Sequence, residues 1–219
     1  ACGTGVLARA AAERVGPDGQ VAGLDLDAGM LALARRADAT IDWRQGRAEA
    51  LPWEDGAFDA VVSQFGLMFF PDRDAALREV LRVLRPGGHL GIAVWASLEE
   101  TEVYPELVAL LERMAGPAAA DALRAPFTLG DADALVALLQ TAGADAAQVT
   151  QLPGQARFPN VRALVEAELR GWLPLLGIIL EEARITDILA ASEVLLARHV
   201  RADGTLVFAA PALVARARG

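Results

Sequence analysis

The chain has 219 residues, of which 54% are apolar and 22% charged, enough for a sizeable core and too apolar for a disordered segment. Twenty basic residues, all Arg, face 29 acidic ones for a net charge of −9. The absence of Lys excludes a Lys Schiff base and the Lys of a Walker-type phosphate loop, and the acidic balance argues against nucleic acid as a partner.

The first hundred residues alternate helix-like and strand-like segments. The turn Cys2-Gly3-Thr4-Gly5 leads into a helix over Val6 to Val15, stopped by Gly16-Pro17-Asp18-Gly19. Val21 to Leu26 reads as a short buried strand, and Asp27 as the N-cap of a helix from Ala28 to about Ala37. Ile41 to Gln45 is a weaker strand. After a polar loop, Gly46 to Gly56, Phe58 to Ser63 is a clear one. Pro71 to Asp74 opens a helix with Leu77, Val80, Leu81 and Leu84 at helical spacing; Pro86-Gly87-Gly88 ends it before a strand from Leu90 to Trp95. Such alternation predicts a mostly parallel sheet covered by helices.

The second half is mainly helical. Helices are expected over Glu99 to Met114, Ala118 to Leu123, from Asp131 to about Gly143, over Asn160 to Trp172 and over Glu181 to His199. Strands are expected over Ala146 to Leu152 and Leu206 to Ala209, the latter after the turn Asp203-Gly204. No repeat or low-complexity linker interrupts the chain. The expected organisation over 1–219 is one domain: a core at 1–96, a helical cap at 97–130 and 158–200, and the end of the sheet at 131–157 and 201–219.

Cys2, the one Cys, allows no internal disulfide, and His89 and His199 are too distant for a helical metal motif, so no metal site is expected. The longest apolar run, Trp172 to Leu180, is too short to span a membrane, and no signal peptide is evident, which predicts a cytoplasmic protein. A glycine-rich turn normally follows a strand. Because the chain opens at Ala1 in such a turn, an upstream segment is expected to be absent.

Gly3-Thr4-Gly5-Val6-Leu7-Ala8 fits G-x-G-x-x-A, and Asp25 follows Gly3 by 22 residues at the end of the next strand. Glycines let a ligand approach the backbone, the helix start offers free N–H groups, and the carboxylate can hold ribose hydroxyls. The bland reading is a tight turn with Asp25 as an ordinary cap. Further blocks occur in order: Gly23-Leu24-Asp25-Leu26-Asp27 with Met30-Leu31, Glu49-Ala50-Leu51-Pro52, Phe58 to Ser63, and Glu79 with Arg82 to Gly88.

This series, covering residues 1 to about 96, resembles the class I S-adenosylmethionine-dependent methyltransferases, in the branch similar to ubiquinone and menaquinone biosynthesis methyltransferases. The resemblance implies a Rossmann-like, doubly wound α/β sheet, seven-stranded in the family and here without most of its first strand, with a C-terminal antiparallel strand and an inserted helical cap. It implies that Ala1, Cys2, Gly3 and Gly5 take the methionine part of S-adenosylmethionine and that Asp25 takes the ribose. Leu26 and Met30 would flank the adenine, Arg47 and Ala48 would meet its edge, and Ser63, Gln64 and Phe65 would border the substrate mouth. The family often has Asp where Arg47 stands. Arg only donates hydrogen bonds, so Glu49 or a carbonyl would accept from the adenine amino group. The acceptor would be a small molecule, a hydrophobic one among the candidates, and no catalytic residue is singled out because the sulfonium already activates the methyl group. Two alternatives use the same features: an NAD-dependent oxidoreductase, disfavoured by the lack of a Tyr-x-x-x-Lys proton donor, and a non-catalytic Rossmann-like binding module. Nothing in the sequence selects an oligomeric state.

Overall fold

A computed structural model describes residues 1–219. In chain order its elements begin α1 (Val6–Val15), β1 (Ala22–Asp25), α2 (Ala28–Ala37), β2 (Asp42–Gln45), β3 (Phe58–Gln64), α3 (Arg73–Val83) and β4 (Leu84–Trp95). There follow α4 (Tyr104–Ala115), α5 (Pro117–Arg124), α6 (Ala132–Thr141), β5 (Asp145–Leu152), β6 (Gln155–Phe158) and α7 (Val161–Glu166). A π-helical stretch, Ala167–Trp172, joins α7 to the single turn α8 (Leu173–Leu175). The chain ends with α9 (Glu182–Leu195), β7 (Leu206–Ala209) and β8 (Ala212–Arg218). It divides into two compact units: Ala1–Val94, Ala132–Thr150 and Leu213–Gly219 form one, Trp95–Asp131 and Gln151–Ala212 the other.

In the first unit, local chemistry sets the helix boundaries. α1 leaves Gly5 at φ 82, a left-handed conformation that favours glycine. Asp27 caps α2 by accepting from the Met30 amide at 2.8 Å, and Asp72 caps α3 by accepting from Ala75 at 2.9 Å. β1 runs parallel to β2, pairing Ala22 with Asp42 through Asp25 with Gln45. β3 runs parallel to β4 within a four-stranded sheet of order β3-β4-β8-β5. The strands described so far therefore fall in two sheets, with no ladder joining β1 or β2 to β3. Gly219 exchanges hydrogen bonds with Gly87 and Gly88 at the start of β4, and Pro211, before β8, accepts from Ala96, just past β4. β8 is thus antiparallel to β4.

Pro86-Gly87-Gly88 does not separate helix from strand as expected. α3 already stops at Val83, and the three residues bulge within β4, where the register jumps from Phe58–Leu84 to Ala60–His89. Pro86 has no amide to donate, and a Cβ at Gly88 would stand 2.9 Å from the Arg85 carbonyl oxygen, so the extra residues leave the ladder at this point.

The second unit has a leucine-rich core drawn from α4, α5, α7 and α9, with Leu107, Leu111, Leu123, Leu164 and Ile188 sealed from solvent. The antiparallel pair β6–β7, Gln155 opposite Ala209 through Phe158 opposite Leu206, contributes Phe208 to it. Leu206–Ala209 was read as the last strand, but it pairs here and β8 follows. The signal for β8, Ala-Leu-Val-Ala-Arg-Ala-Arg, is an alternation too Ala-rich to stand out from helix. No helix is long and apolar enough to cross a membrane.

Candidate functional site

In the first unit, the expected site residues fall at the carboxyl ends of β1 and β3 and in the loops beside them. Asp25 ends β1 with both carboxylate oxygens engaged: Oδ2 accepts from the Gly3 amide at 2.7 Å and Oδ1 from Asp27 at 2.9 Å. These bonds fix the glycine turn against the strand end and leave lone pairs on each oxygen for further donors. Gly3, at φ 55, is glycine for its conformation alone, since a Cβ there would meet nothing within 4 Å. Open space therefore lies against the turn. Gly5 is glycine for room as well: a Cβ would stand 2.4 Å from Cη2 of Trp43. The same ring backs Gly23, at 2.4 Å from its would-be Cβ, and its indole donates to the Asp38 carbonyl at 2.7 Å. Trp43 is thus the backstop of the turn. Sequence reasoning missed it because it sits in a weak strand whose single aromatic has no partner pattern.

The Ala1 nitrogen and the Cys2 amide both donate to the Leu24 carbonyl at 2.9 Å, which holds the start of the turn along β1. Burial pushes the Cys2 thiol up from its ordinary value, so it is not an activated nucleophile. Beyond Asp25, Leu26 and Met30 stay 58% and 41% exposed, an apolar ledge beside the carboxylate. The Gln45 amide donates to the Leu26 carbonyl at 3.0 Å and holds that ledge, a contact with no sequence signal.

Ala48 is buried, whereas Arg47 points to its own loop, with Nε 3.4 Å from Glu49 Oε2. The other Glu49 oxygen, Oε1, is buried with no hydrogen-bond partner, and so is Ser63 Oγ at the end of β3. Buried polar atoms are normally satisfied, and an orphan costs about 1–3 kcal/mol. Glu49 Oε1 is an acceptor awaiting a donor, and the Ser63 hydroxyl can accept or donate. Gln64 is exposed, and Phe65 sits at φ 55 with its amide bonded to the Ala93 carbonyl at 2.8 Å. A bulky residue at positive φ is strained, and such strain concentrates at functional sites. At Gly66, a Cβ would stand 2.8 Å from the Ala1 side chain and 3.2 Å from Ser63 Oγ, so the end of β3 and the start of the chain are neighbours.

The loop carrying Ala48 and Glu49 is clamped from α3. Glu79 Oε2 accepts from the Leu51 amide at 2.7 Å, and Arg82 donates to Glu79, to the Trp53 and Leu51 carbonyls and to Asp55. The Arg82 guanidinium holds the Glu79 carboxyl below its usual range. The Glu79–Arg82 pair is therefore the fastening of the site loop. Asp59 pairs with Arg85 at the surface. Chemically the site offers a carboxylate for a diol, an apolar ledge for a planar ring, an orphan carboxylate oxygen, an orphan hydroxyl and a glycine turn open to a ligand.

Residues 1–92 match the family described as methyltransferase domain. The demethylmenaquinone methyltransferase of Lactobacillus johnsonii is 45% identical over 97 residues, 42% of this chain and 40% of that protein. The 2-phytyl-1,4-naphtoquinone methyltransferase of Thermosynechococcus vestitus is 46% identical over 94 residues, 42% of each. The chain thus spans about two fifths of the length of these relatives. Among solved structures, the YcgJ protein of Bacillus subtilis aligns with a TM-score of 0.61 at 18% identity, over 99% of this chain and 88% of that one. Phosphoethanolamine N-methyltransferase 2 of Haemonchus contortus, solved with S-adenosyl-L-methionine, aligns at 0.56 and 20%, over 99% and 46%. At such identities the likeness establishes the α/β fold.

Proposed function

We propose that this chain, whose residues 1–92 match the family described as methyltransferase domain, transfers a methyl group from S-adenosylmethionine to a small-molecule acceptor in the cytoplasm. The observation that carries the reading is Asp25, fixed at the end of β1 by the amides of Gly3 and Asp27, beside the orphaned oxygens of Glu49 and Ser63.

Bound S-adenosylmethionine supplies a methyl group already electrophilic on its sulfonium. The protein's task is then to bind, orient and exclude water, and orientation alone is worth about 7–11 kcal/mol in favourable cases. Asp25 accepts from the ribose hydroxyls, and Leu26 and Met30 cover the adenine. Ala48 packs at its edge, and Glu49 Oε1 accepts from its amino group, the role that the donor-only Arg47 cannot fill. Ala1, Cys2, Gly3 and Gly5 line the methionine part, with Ser63, Gln64 and Phe65 at the mouth. No nucleophile is required of the protein, in keeping with the deactivated Cys2 thiol.

The helical unit selects the acceptor. The family match ends at residue 92, so the relatives' acceptors are not carried over to this chain. The relatives named are methyltransferases, which favours this reading over the oxidoreductase and over a binding module without activity. Calorimetric titration with S-adenosylhomocysteine, with NAD as control, tests it. Micromolar binding of the first and none of the second is expected; binding of NAD alone would overturn the assignment.

A further inference from the structure

We propose that the helical unit carries a binding site for an organic ammonium group, centred on the carboxylate of Glu168 and the hydroxyl-bearing ring of Tyr104. This names the acceptor's chemical class and so rests on the reading above, but the site lies wholly within one unit and can be tested without methyl transfer.

Glu168 lies in the π-helical stretch Ala167–Trp172, an irregularity of helices frequent at functional sites. Tyr104, at the start of α4, donates its hydroxyl proton to Glu168 Oε1 at 2.6 Å. Four other acids of this unit, Glu106, Glu112, Glu166 and Glu182, each pair with an Arg. Glu168 pairs with none, although burial raises its carboxyl above the usual range and a cation would relieve that cost. Its second oxygen, Oε2, makes no protein hydrogen bond and is not among the sealed polar atoms. The unpaired carboxylate is therefore local and only partly buried.

The surroundings favour a cation with an organic body over a bare metal ion. No group of three or more His, Cys, Asp or Glu is placed to ligate one. Tyr104 stands instead in an aromatic cluster, with ring centroids 5.0 Å from Phe127 and 6.1 Å from Phe208, which stacks on Phe158 at 6.3 Å. Phe127 and Phe208 are buried, so the partly exposed Tyr104 ring is the one that meets an ammonium group, and the low polarity behind it strengthens the attraction to the carboxylate. The unit as a whole holds 14 acidic residues against 8 basic, so its field also draws cations.

The test is titration of the full chain with phenethylammonium and with its neutral counterpart 2-phenylethanol, followed by calorimetry. The ammonium is expected to bind about tenfold or more tightly than the alcohol. Glu168→Gln should abolish that preference, whereas Tyr104→Phe, which keeps the charge, should retain it. Thermal melts followed by circular dichroism report whether each variant folds. Equal binding of the two probes, no binding of either, or a preference that survives Glu168→Gln in folded protein overturns the site; so does its loss in folded Tyr104→Phe. S-adenosylhomocysteine is titrated in parallel. Its binding without ammonium binding removes the site and leaves the methyl-transfer reading; the reverse removes that reading and the ammonium's role as acceptor, and leaves the binding site.

Discussion

The two units treat polar atoms in opposite ways. In the first, the ends of β1 and β3 keep a carboxylate, two orphaned oxygens and a strained Phe65 beside a turn open to solvent. The apolar residues there, Leu26 and Met30, are left partly bare. In the second, the leucines of α4, α5, α7 and α9 are sealed, and Thr101 and Ser192 are its only fully buried polar residues. Ser192 is satisfied at once by its own helix, donating to the Ile188 carbonyl at 2.7 Å. Burial stabilises a helical unit best when nothing polar is left over, whereas a site for a polar ligand must hold unmet hydrogen-bonding capacity until that ligand arrives. The Tyr104–Glu168 pair is the one place where the second unit behaves like the first.

The largest expected effect tests the sealed core. Leu111→Ala should cost about 2–5 kcal/mol, from the lost transfer energy and the cavity left behind. A thermal melt measures the loss, and hydrogen exchange should place it in α4, α5 and α9. Unchanged stability would mean that this core is looser than its burial indicates.

Next is the open site. Asp25→Ala removes the acceptor of two backbone amides and, in the proposed function, of the ribose hydroxyls. With charged hydrogen bonds worth about 1.5–3 kcal/mol each, affinity for S-adenosylhomocysteine should fall at least about tenfold and up to several hundredfold, with Leu111 and its neighbours unaffected. Calorimetry that shows wild-type affinity would remove Asp25 from the site.

The smallest effect sharpens the contrast through pH. Glu79 has a depressed carboxyl, chiefly through hydrogen bonding to Arg82, so its contribution is fully present above the ordinary carboxylate value and is lost as pH falls through the depressed one. Glu168 has a raised carboxyl through burial, so its charged form opposes folding, and that penalty disappears as pH falls through the raised value towards the ordinary one. Acidification should loosen the 46–56 loop and tighten the π-helical stretch. The Glu79 effect is small, since solvent screens a partly exposed pair. Site-resolved hydrogen exchange across acid pH checks both signs, and Glu79→Gln or Glu168→Gln should flatten the matching trend.

Much of this was legible in the residues. Asp27 and Asp72 cap helices because a carboxylate can reach the free amides of a first turn, a purely local event, and Gly3 and Gly5 are required by backbone conformation. The alternation of segments over residues 1–96 and the sealed leucine faces likewise follow from period and burial. Less was legible where distant segments meet. β6 was missed and β8 was not distinguished as a separate strand, because four residues such as Gln155–Phe158, or an Ala-rich alternation, form a strand only when a partner edge supplies its hydrogen bonds. Trp43 gave no hint that it would back Gly5 and Gly23, and Arg82 none that it would fasten a loop some thirty residues upstream.

What the sequence by itself determined is therefore the list of elements with strong local signals and the glycine–Asp25 motif, since both arise from interactions within a turn or along one strand or helix. The tertiary structure alone decided that Glu49 Oε1 and Ser63 Oγ are buried without partners and that Glu168 meets Tyr104 rather than an Arg. Solvation and electrostatic partnership depend on what the rest of the chain brings near an atom, and no local pattern encodes that.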